Sequence, residues 1–510
     1  MKRILSLLLT LFLSIGIIGG TLPVYAAESP LSEGYYQYEE TDDGVRITKY
    51  TGNELEVVIP STLGGKPVVT IGEDAFSYNF LNSVVIPEGV TTIEHNAFYS
   101  CKTLKTVDLP ESLVTLNSYS FASCYINNID SENWQDGILY VDDWVLRTDG
   151  CGLNPVVREG TKKIANRAFV YQHTLYGLKT ESITLPNSLV YIDPEAFLNF
   201  RTEEFIMADG GTDYKCCGGV LYTADGKELV KYPVLNESLS YSILDFTERI
   251  RMYAFAGCQT LEGGITFPDS LKYIGDSAFE GVWYLPEAVL NGIVEIGSRA
   301  FHSSGIKSVS FGGSLKTVGD EAFYSVPLKT IDFPASVTYI GKGVLGSCLD
   351  LETITVDDSN RYYCDDGIAL FDDGFERILQ FPLALEAKSY TLPSQVRIIG
   401  GKAFEGCRLE DVVIPSGLQT IEYDAFKNCE YIREMSLPDG VTSIGDGAFC
   451  GCYALNSVDF GNSLVTIGVD AFSACESLKI IELPATVETI GNGAFQGCNT
   501  LESGDLGGKG

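Results

Sequence analysis

The stretch Leu104-Lys105-Thr106-Val107-Asp108-Leu109-Pro110, followed by Leu113, Leu116, Phe121 and Cys124, decides the fold because its pattern returns along the chain. Near the far end it reads Leu478-Lys479-Ile480-Ile481-Glu482-Leu483-Pro484, then Val487, Ile490-Gly491, Ala494-Phe495 and Cys498. The clearest marker is an Ala-Phe pair, at Ala75-Phe76, Ala97-Phe98, Ala168-Phe169, Ala196-Phe197, Ala254-Phe255, Ala278-Phe279, Ala300-Phe301 and Ala322-Phe323, with Ser120-Phe121 as a variant. A Val344-Leu345 variant leads on to Ala403-Phe404, Ala425-Phe426, Ala448-Phe449, Ala471-Phe472 and Ala494-Phe495, and the short gaps between neighbours are 22 to 24 residues. A period of that length, kept that strictly, means stacked coils.

Each slot has a mechanical role. The apolar residues at i, i+3 and i+5 face inward from a short strand whose intervening residues are polar, and the Pro that follows ends the strand because it has no N–H to donate. One coil cannot bury its own apolar face. Stacking coils at about 4.8 Å, the spacing of paired strands, aligns like residues into columns and makes a continuous core. The expected fold is a right-handed repeat solenoid of about fifteen coils, mostly short β-strands with short helical turns. Gly follows the second apolar slot at Gly72, Gly275, Gly297, Gly319, Gly341, Gly400, Gly445, Gly468 and Gly491, where a turn with positive φ is expected. Asn117, Asp193, Glu94 and Glu422 hold that slot elsewhere, and glutamate does not take that geometry easily.

With these motifs the chain resembles the BspA-like leucine-rich-repeat proteins of bacterial surfaces. The resemblance covers about residues 35 to 506 and rests on the Leu-x-x-Val-x-Leu-Pro strand, the Ile-Gly-x-x-Ala-Phe turn and the Cys behind it. Gly64-Gly65-Lys66-Pro67-Val68-Val69-Thr70-Ile71-Gly72 is similar to the opening of such proteins. The chain departs from the better-known leucine-rich repeat by carrying Pro where that repeat has a turn Asn. The resemblance implies a leucine-rich-repeat solenoid and, for function, surface adhesion and protein binding.

Three gaps in the Phe series are long, and each contains two apolar strands around a turn. The hairpins are expected near residues 134–158, 213–234 and 362–383, with Asp142-Asp143, Asp225-Gly226 and Asp372-Asp373-Gly374 in their turns. Such insertions project from one side of a solenoid, where partners dock. Ahead of the solenoid (61–506), residues 27–60 carry Tyr35, Tyr36, Tyr38 and the alternating Val45-Arg46-Ile47-Thr48, a cap for the first coil. At the other end the next strand stops in residues 504–510, which suggests an open edge and a longer parent chain, with 507–510 as a tail. Residues 1–26 read as a secretory signal peptide: basic Lys2-Arg3, an apolar run from Ile4 to Ile18, and Val24-Tyr25-Ala26 as the cleavage site. No later apolar run is long enough to span a membrane, so the expectation is a secreted or surface-attached chain with no membrane insertion after signal removal.

The formal charge of −33 argues against nucleic acid as a partner. Catalysis would need a nucleophile, a base and an orienting group, yet the three histidines, His95, His173 and His302, fall in no catalytic motif, and no enzyme activity or cofactor is expected. The carboxylate pairs Asp42-Asp43, Asp357-Asp358 and Asp365-Asp366 stand in no calcium-loop pattern, so no metal is expected. Of fourteen cysteines, Cys101, Cys124, Cys258, Cys348, Cys407, Cys429, Cys452, Cys475 and Cys498 fall three residues after the Phe slot, an inward column of reduced thiols rather than a disulfide framework. Cys151, Cys216, Cys217, Cys364 and Cys450 lie off it.

The binding surface is expected on the outward side chains of the Leu-x-x-Val-x-Leu-Pro strands: Lys105, Thr106, Asp108, Lys307, Ser308, Lys329, Thr330, Asp332, Arg433, Asp459, Lys479 and Glu482. Their columns are polar and mixed in charge, without an aromatic hot spot, so weak contacts summed over many coils are expected. The partner would be an extracellular protein or glycan. The other reading from the sequence is a wall-associated structural spacer that displays a domain absent from this chain.

Overall fold

The computed structural model describes residues 30–128, 131–170 and 179–501. The expected leader, the first residues of the expected cap, His173 and the expected tail lie outside the described residues. The chain is a β-solenoid of about 19 turns. That exceeds the expected fifteen because each inserted segment, and the stretch before Phe76, contributes a coil of its own. The expected helical turns are almost absent: one three-residue 3-10 turn, Tyr125–Asn127, occurs among the described residues.

A regular coil makes two strands, not one. The Leu-x-x-Val-x-Leu strand is present, as in Ser83–Val85, Thr106–Asp108, Thr330–Phe333 and Ser457–Asp459, with alternating exposed and buried residues. These strands pair in parallel in twos and threes and form a discontinuous outer ladder. The second strand is the dipeptide before the Gly slot, such as Thr92–Ile93, Thr317–Val318 or Thr466–Ile467. It forms the longer ladders, and its Ile or Val enters the core.

The Ala-Phe turn lies between two left-handed residues. One precedes the Ala, as at Asp74 (φ 55°), Asn96 (56°), Arg299 (57°) and Asp470 (52°), and one lies two past the Phe, as at Ser100 (58°), Ser325 (56°) and Asn428 (58°). Between them the Phe backbone N–H donates to the Ala carbonyl of the next coil, 2.7 Å for Phe426 to Ala448 and for Phe449 to Ala471. The Phe rings pile up accordingly: Phe404, Phe426, Phe449, Phe472 and Phe495 follow at 5.0, 5.1, 5.0 and 5.4 Å between centroids, within 10° of parallel.

The expectation for the Gly slot was wrong. Gly72, Gly275, Gly319 and their counterparts are absent from the positive-φ positions. Glycine stands there because consecutive coils touch backbone to backbone: a Cβ on Gly319 would lie 2.4 Å from the Ser298 nitrogen, and one on Gly341 2.3 Å from the Asp320 nitrogen. The cysteine column, in turn, does more than fill space. Seven of its nine thiols (Cys101, Cys124, Cys348, Cys429, Cys452, Cys475, Cys498) donate to the carbonyl of the Phe slot one coil earlier, at 2.9 to 3.2 Å. The same carbonyls accept the backbone N–H three residues on, as from Cys429 to Phe426 at 3.1 Å, so the thiol of the next coil fills the second lone pair and ties adjacent coils together. The nine column cysteines are free thiols, and burial pushes that of Cys348 up to about 12.

Each long gap holds three antiparallel strands where two were expected: Trp134–Gln135, Ile138–Val141 and Trp144–Thr148; Tyr214–Cys217, Val220–Thr223 and Glu228–Lys231; Tyr363–Asp365, Leu370–Asp372 and Arg377–Gln380. The N-terminal strands Leu31–Glu33, Tyr36–Glu40 and Val45–Tyr50 have the same arrangement, so the opening of the chain and the three insertions are one structural unit used four times. In each unit the pairing of the last two strands slips just before a buried aromatic residue: Tyr38, Tyr140, Tyr222 or Phe371. The last strand then pairs in parallel with the next regular coil, and a new ladder begins. Where the third and fourth units start, a tyrosine on the first strand covers the end of the preceding ladder. The Ile192 N–H donates to the Tyr214 hydroxyl at 3.0 Å and the Ile340 N–H to that of Tyr363 at 2.7 Å.

Candidate binding face

All twelve residues assigned from the sequence are exposed on the outer ladder. They do not converge on one spot. Lys105 to Asp108 lie on the first piece of the ladder, where the Lys105 ammonium sits 5.5 Å above the Tyr125 ring. Lys307, Ser308, Lys329, Thr330 and Asp332 form a middle stretch. There Lys329 pairs with Glu352 at 3.2 Å, and the Thr355 hydroxyl donates to Asp332 across the strand pair. Arg433, Asp459, Lys479 and Glu482 form the last stretch, with Asp459 opposite Ser436 in the register. The columns are less uniformly polar than their charged members suggest. Val58, Val85, Val289, Val413 and Ile480 are also exposed, and Val58, Val85 and Asp108 share one register position. Those apolar residues were visible in the outward slots of the sequence.

A concavity of about 750 Å³ opens on this face, and sequence reasoning missed it. Its floor is the parallel pair Thr180–Leu185 and Thr202–Met207; its walls are the Gly218 turn of the third unit and residues 236–238. Glu181, Glu203, Glu204 and Glu237 line it beside one cation, Lys179, whose ammonium lies 2.5 Å from Glu203. The hydrogen bond to Glu203, then the charges of Glu203, Glu237 and Glu181, hold the Lys179 pKa above its ordinary value. The available signal was the stretch Thr202-Glu203-Glu204-Phe205-Ile206-Met207, a strand with acidic outward slots and no closing Pro.

Among the described residues no group of three or more His, Cys, Asp or Glu is placed to hold a metal ion, and no helix is long and apolar enough to cross a membrane. His302, which the sequence left without a partner, has neighbours: its Nδ1 is 3.0 Å from Ser303 Oγ and 3.8 Å from a Glu280 oxygen, and its ring stacks on Tyr324 at 5.1 Å. Both polar contacts are to the same ring nitrogen, so the imidazole cannot pass a proton from serine to carboxylate as a catalytic relay does. Burial, then the Arg299 charge, lowers its pKa. His95 lies against Tyr119, ring to ring at 5.3 Å.

The family model of the BspA type leucine rich repeat region matches residues 69–175, 151–214, 242–366 and 381–502, in six copies. The chain belongs to this family. Among solved structures, this BspA-type chain is similar to a leucine rich cell surface protein of Faecalibacterium prausnitzii A2-165, at 23% identity over 94% of this chain and 95% of that one, with a TM-score of 0.42. A leucine-rich repeat protein of Bacteroides ovatus is 23% identical over 90% of this chain and 99% of its own, with a TM-score of 0.35. The pneumococcal vaccine antigen PcpA is 16% identical over 84% and 98%, with a TM-score of 0.33. No curated protein matches the chain. The family assignment rests on the repeat model.

Proposed function

We propose that this BspA-type protein is a non-enzymatic scaffold, secreted to the cell surface, that binds an extracellular protein through the outer ladder of its solenoid. The observation that carries the reading is the ladder itself: coil after coil presents polar and charged side chains, with a few exposed Val and Ile among them, on a rigid strand whose inward positions are committed to the core. Weak contacts repeated at fixed spacing on a rigid support add up without a dominant residue. The leader-like start of the sequence and the cell-surface description of the Faecalibacterium neighbour support an extracellular setting.

The test uses chain 27–510 as bait against purified host matrix proteins and microbial surface extracts, beside a variant carrying Lys307→Glu, Lys329→Glu and Lys479→Glu. The expected result is a partner held by the parent and released by the variant at an unchanged melting temperature. Undiminished capture by the folded variant would remove these strands from the site.

A further inference from the structure

We propose that the concavity over Thr180–Leu185 and Thr202–Met207 receives an extended, lysine- or arginine-bearing segment of the partner protein. This deepens the scaffold reading and rests on it.

The concavity is where the outer ladder acquires walls. The third unit rises beside the strand pair there, and residues 236–238 close the other side. The wall is closely fitted, since a Cβ on Gly219 would come within 3.1 Å of the Glu204 Cβ. A space of about 750 Å³ takes several residues of an extended chain. Its charge selects the occupant. Lys179 is engaged with Glu203, and Glu181 accepts a hydrogen bond from Asn154 at 3.0 Å, whereas Glu204 and Glu237 form no ion pair among the described residues. A cationic side chain would bring what these two carboxylates lack, and the exposed Leu153 on the rim offers its methylene stem an apolar surface. A lone metal ion is a poorer fit, because no three of these carboxylates converge closely enough to ligate one. The carboxylates come from three segments, Glu181 on one strand, Glu203 and Glu204 on the next and Glu237 beyond them, which suits a partner that carries more than one cation.

The probe is a short fluorescein-labelled peptide of alternating glycine and lysine, read by fluorescence anisotropy against chain 27–510 at low and at physiological salt. Glu204→Gln with Glu237→Gln should weaken binding about tenfold, since two carboxylates that would pair with the peptide become neutral. Glu56→Gln with Glu434→Gln removes equal charge from the outer ladder outside the groove and should leave affinity within about twofold, as exposed charges beyond a Debye length are screened. Lys179→Gln frees Glu203 and should tighten binding, a gain that misfolding cannot produce. Equal weakening by both pairs would reduce the effect to the net charge of the chain and overturn the site. No binding by the parent, or a Lys179→Gln protein that binds less tightly, would also overturn it. Those failures leave the scaffold reading standing if the captured partner still depends on Lys307, Lys329 and Lys479. Loss of that dependence, with the peptide still held, would sink the ladder and keep the groove.

Discussion

The coils from Phe404 to Phe495 and the junction around Tyr363 hold the chain together by different rules. In the coils, each element repeats its neighbour: Phe on Phe, Ile beside Ile in the ladder, and a thiol reaching the carbonyl one coil back. At the junction the copying is only partial: Phe381 stacks on Phe404 and Ile378 lies beside Ile399, but the other contacts join unlike residues. The Ile340 N–H ends on a phenol, Leu345 stands in the Phe slot, and Lys402 reaches back from the following coil to Glu321 while lying over the Tyr324 ring at 4.8 Å. Arg251 does the same at the previous junction, donating to the Ile192 carbonyl at 3.2 Å and to Glu228 at 2.5 Å. Repetition secures the stack; individual polar pairs secure its interruptions. The two kinds of region should therefore respond to different perturbations.

The largest effect is expected in the stack. Phe449→Ala removes a buried ring with a partner on each face and should cost about 3 to 5 kcal/mol, measured by denaturant unfolding of the whole chain. A parent-like unfolding midpoint would mean that the ring column is not what holds neighbouring coils together.

Next comes Lys231, on the last strand of the third unit. It is buried with its ammonium donating to the Tyr253 carbonyl at 2.7 Å, and burial lowers its pKa from 10.5 to about 8. A lowered lysine pKa means that between about pH 8 and 10.5 the unfolded chain binds more protons than the folded one, so this residue opposes folding fully below pH 8 and progressively less as the pH rises. Lys231→Met should then be more stable than the parent by up to about 3 kcal/mol at pH 7. The advantage should shrink as the pH approaches 10.5. A gap between the two proteins that stays constant with pH would show that the ammonium is solvated.

Tyr363→Phe tests the junction directly. It strands the Ile340 N–H and should cost about 1 to 3 kcal/mol, with faster hydrogen exchange at that amide, whereas Phe at the exposed Tyr431 should change neither. Unchanged exchange at Ile340 would leave the ladder end without its proposed seal. The smallest effect is expected from Cys452→Ala, about 1 kcal/mol for one weak hydrogen bond and a small apolar group. Mass spectrometry of the parent, denatured without reductant and alkylated, should find all nine column thiols free; disulfides among them would contradict a column built for packing and carbonyl capture.

The period, the inward slots, the Phe and Cys columns and the outward columns are all properties of position within one repeat, and they are legible because stacking makes each coil's neighbour a copy of itself. The Gly slot misled because glycine has two uses. The absence of a Cβ serves positive φ in one setting and close backbone approach in another, and only coordinates tell Gly319, pressed against Ser298, from Gly497 at φ 77°. The third strand of each inserted unit was missed because Tyr214-Lys215-Cys216-Cys217 and Tyr363-Cys364-Asp365 carry little of the alternation that marks a half-buried strand. The sequence alone determined that this chain stacks, since twenty-odd residues repeated many times cannot bury their apolar faces in any other way. Tertiary structure decided where the stack is interrupted and sealed, and which outward side chains end up facing one another. The groove that brings Glu204 from one coil beside the Gly218 turn and Glu237 of another segment is such a meeting: no repeat encodes it, because its walls come from parts of the chain that are not copies of each other.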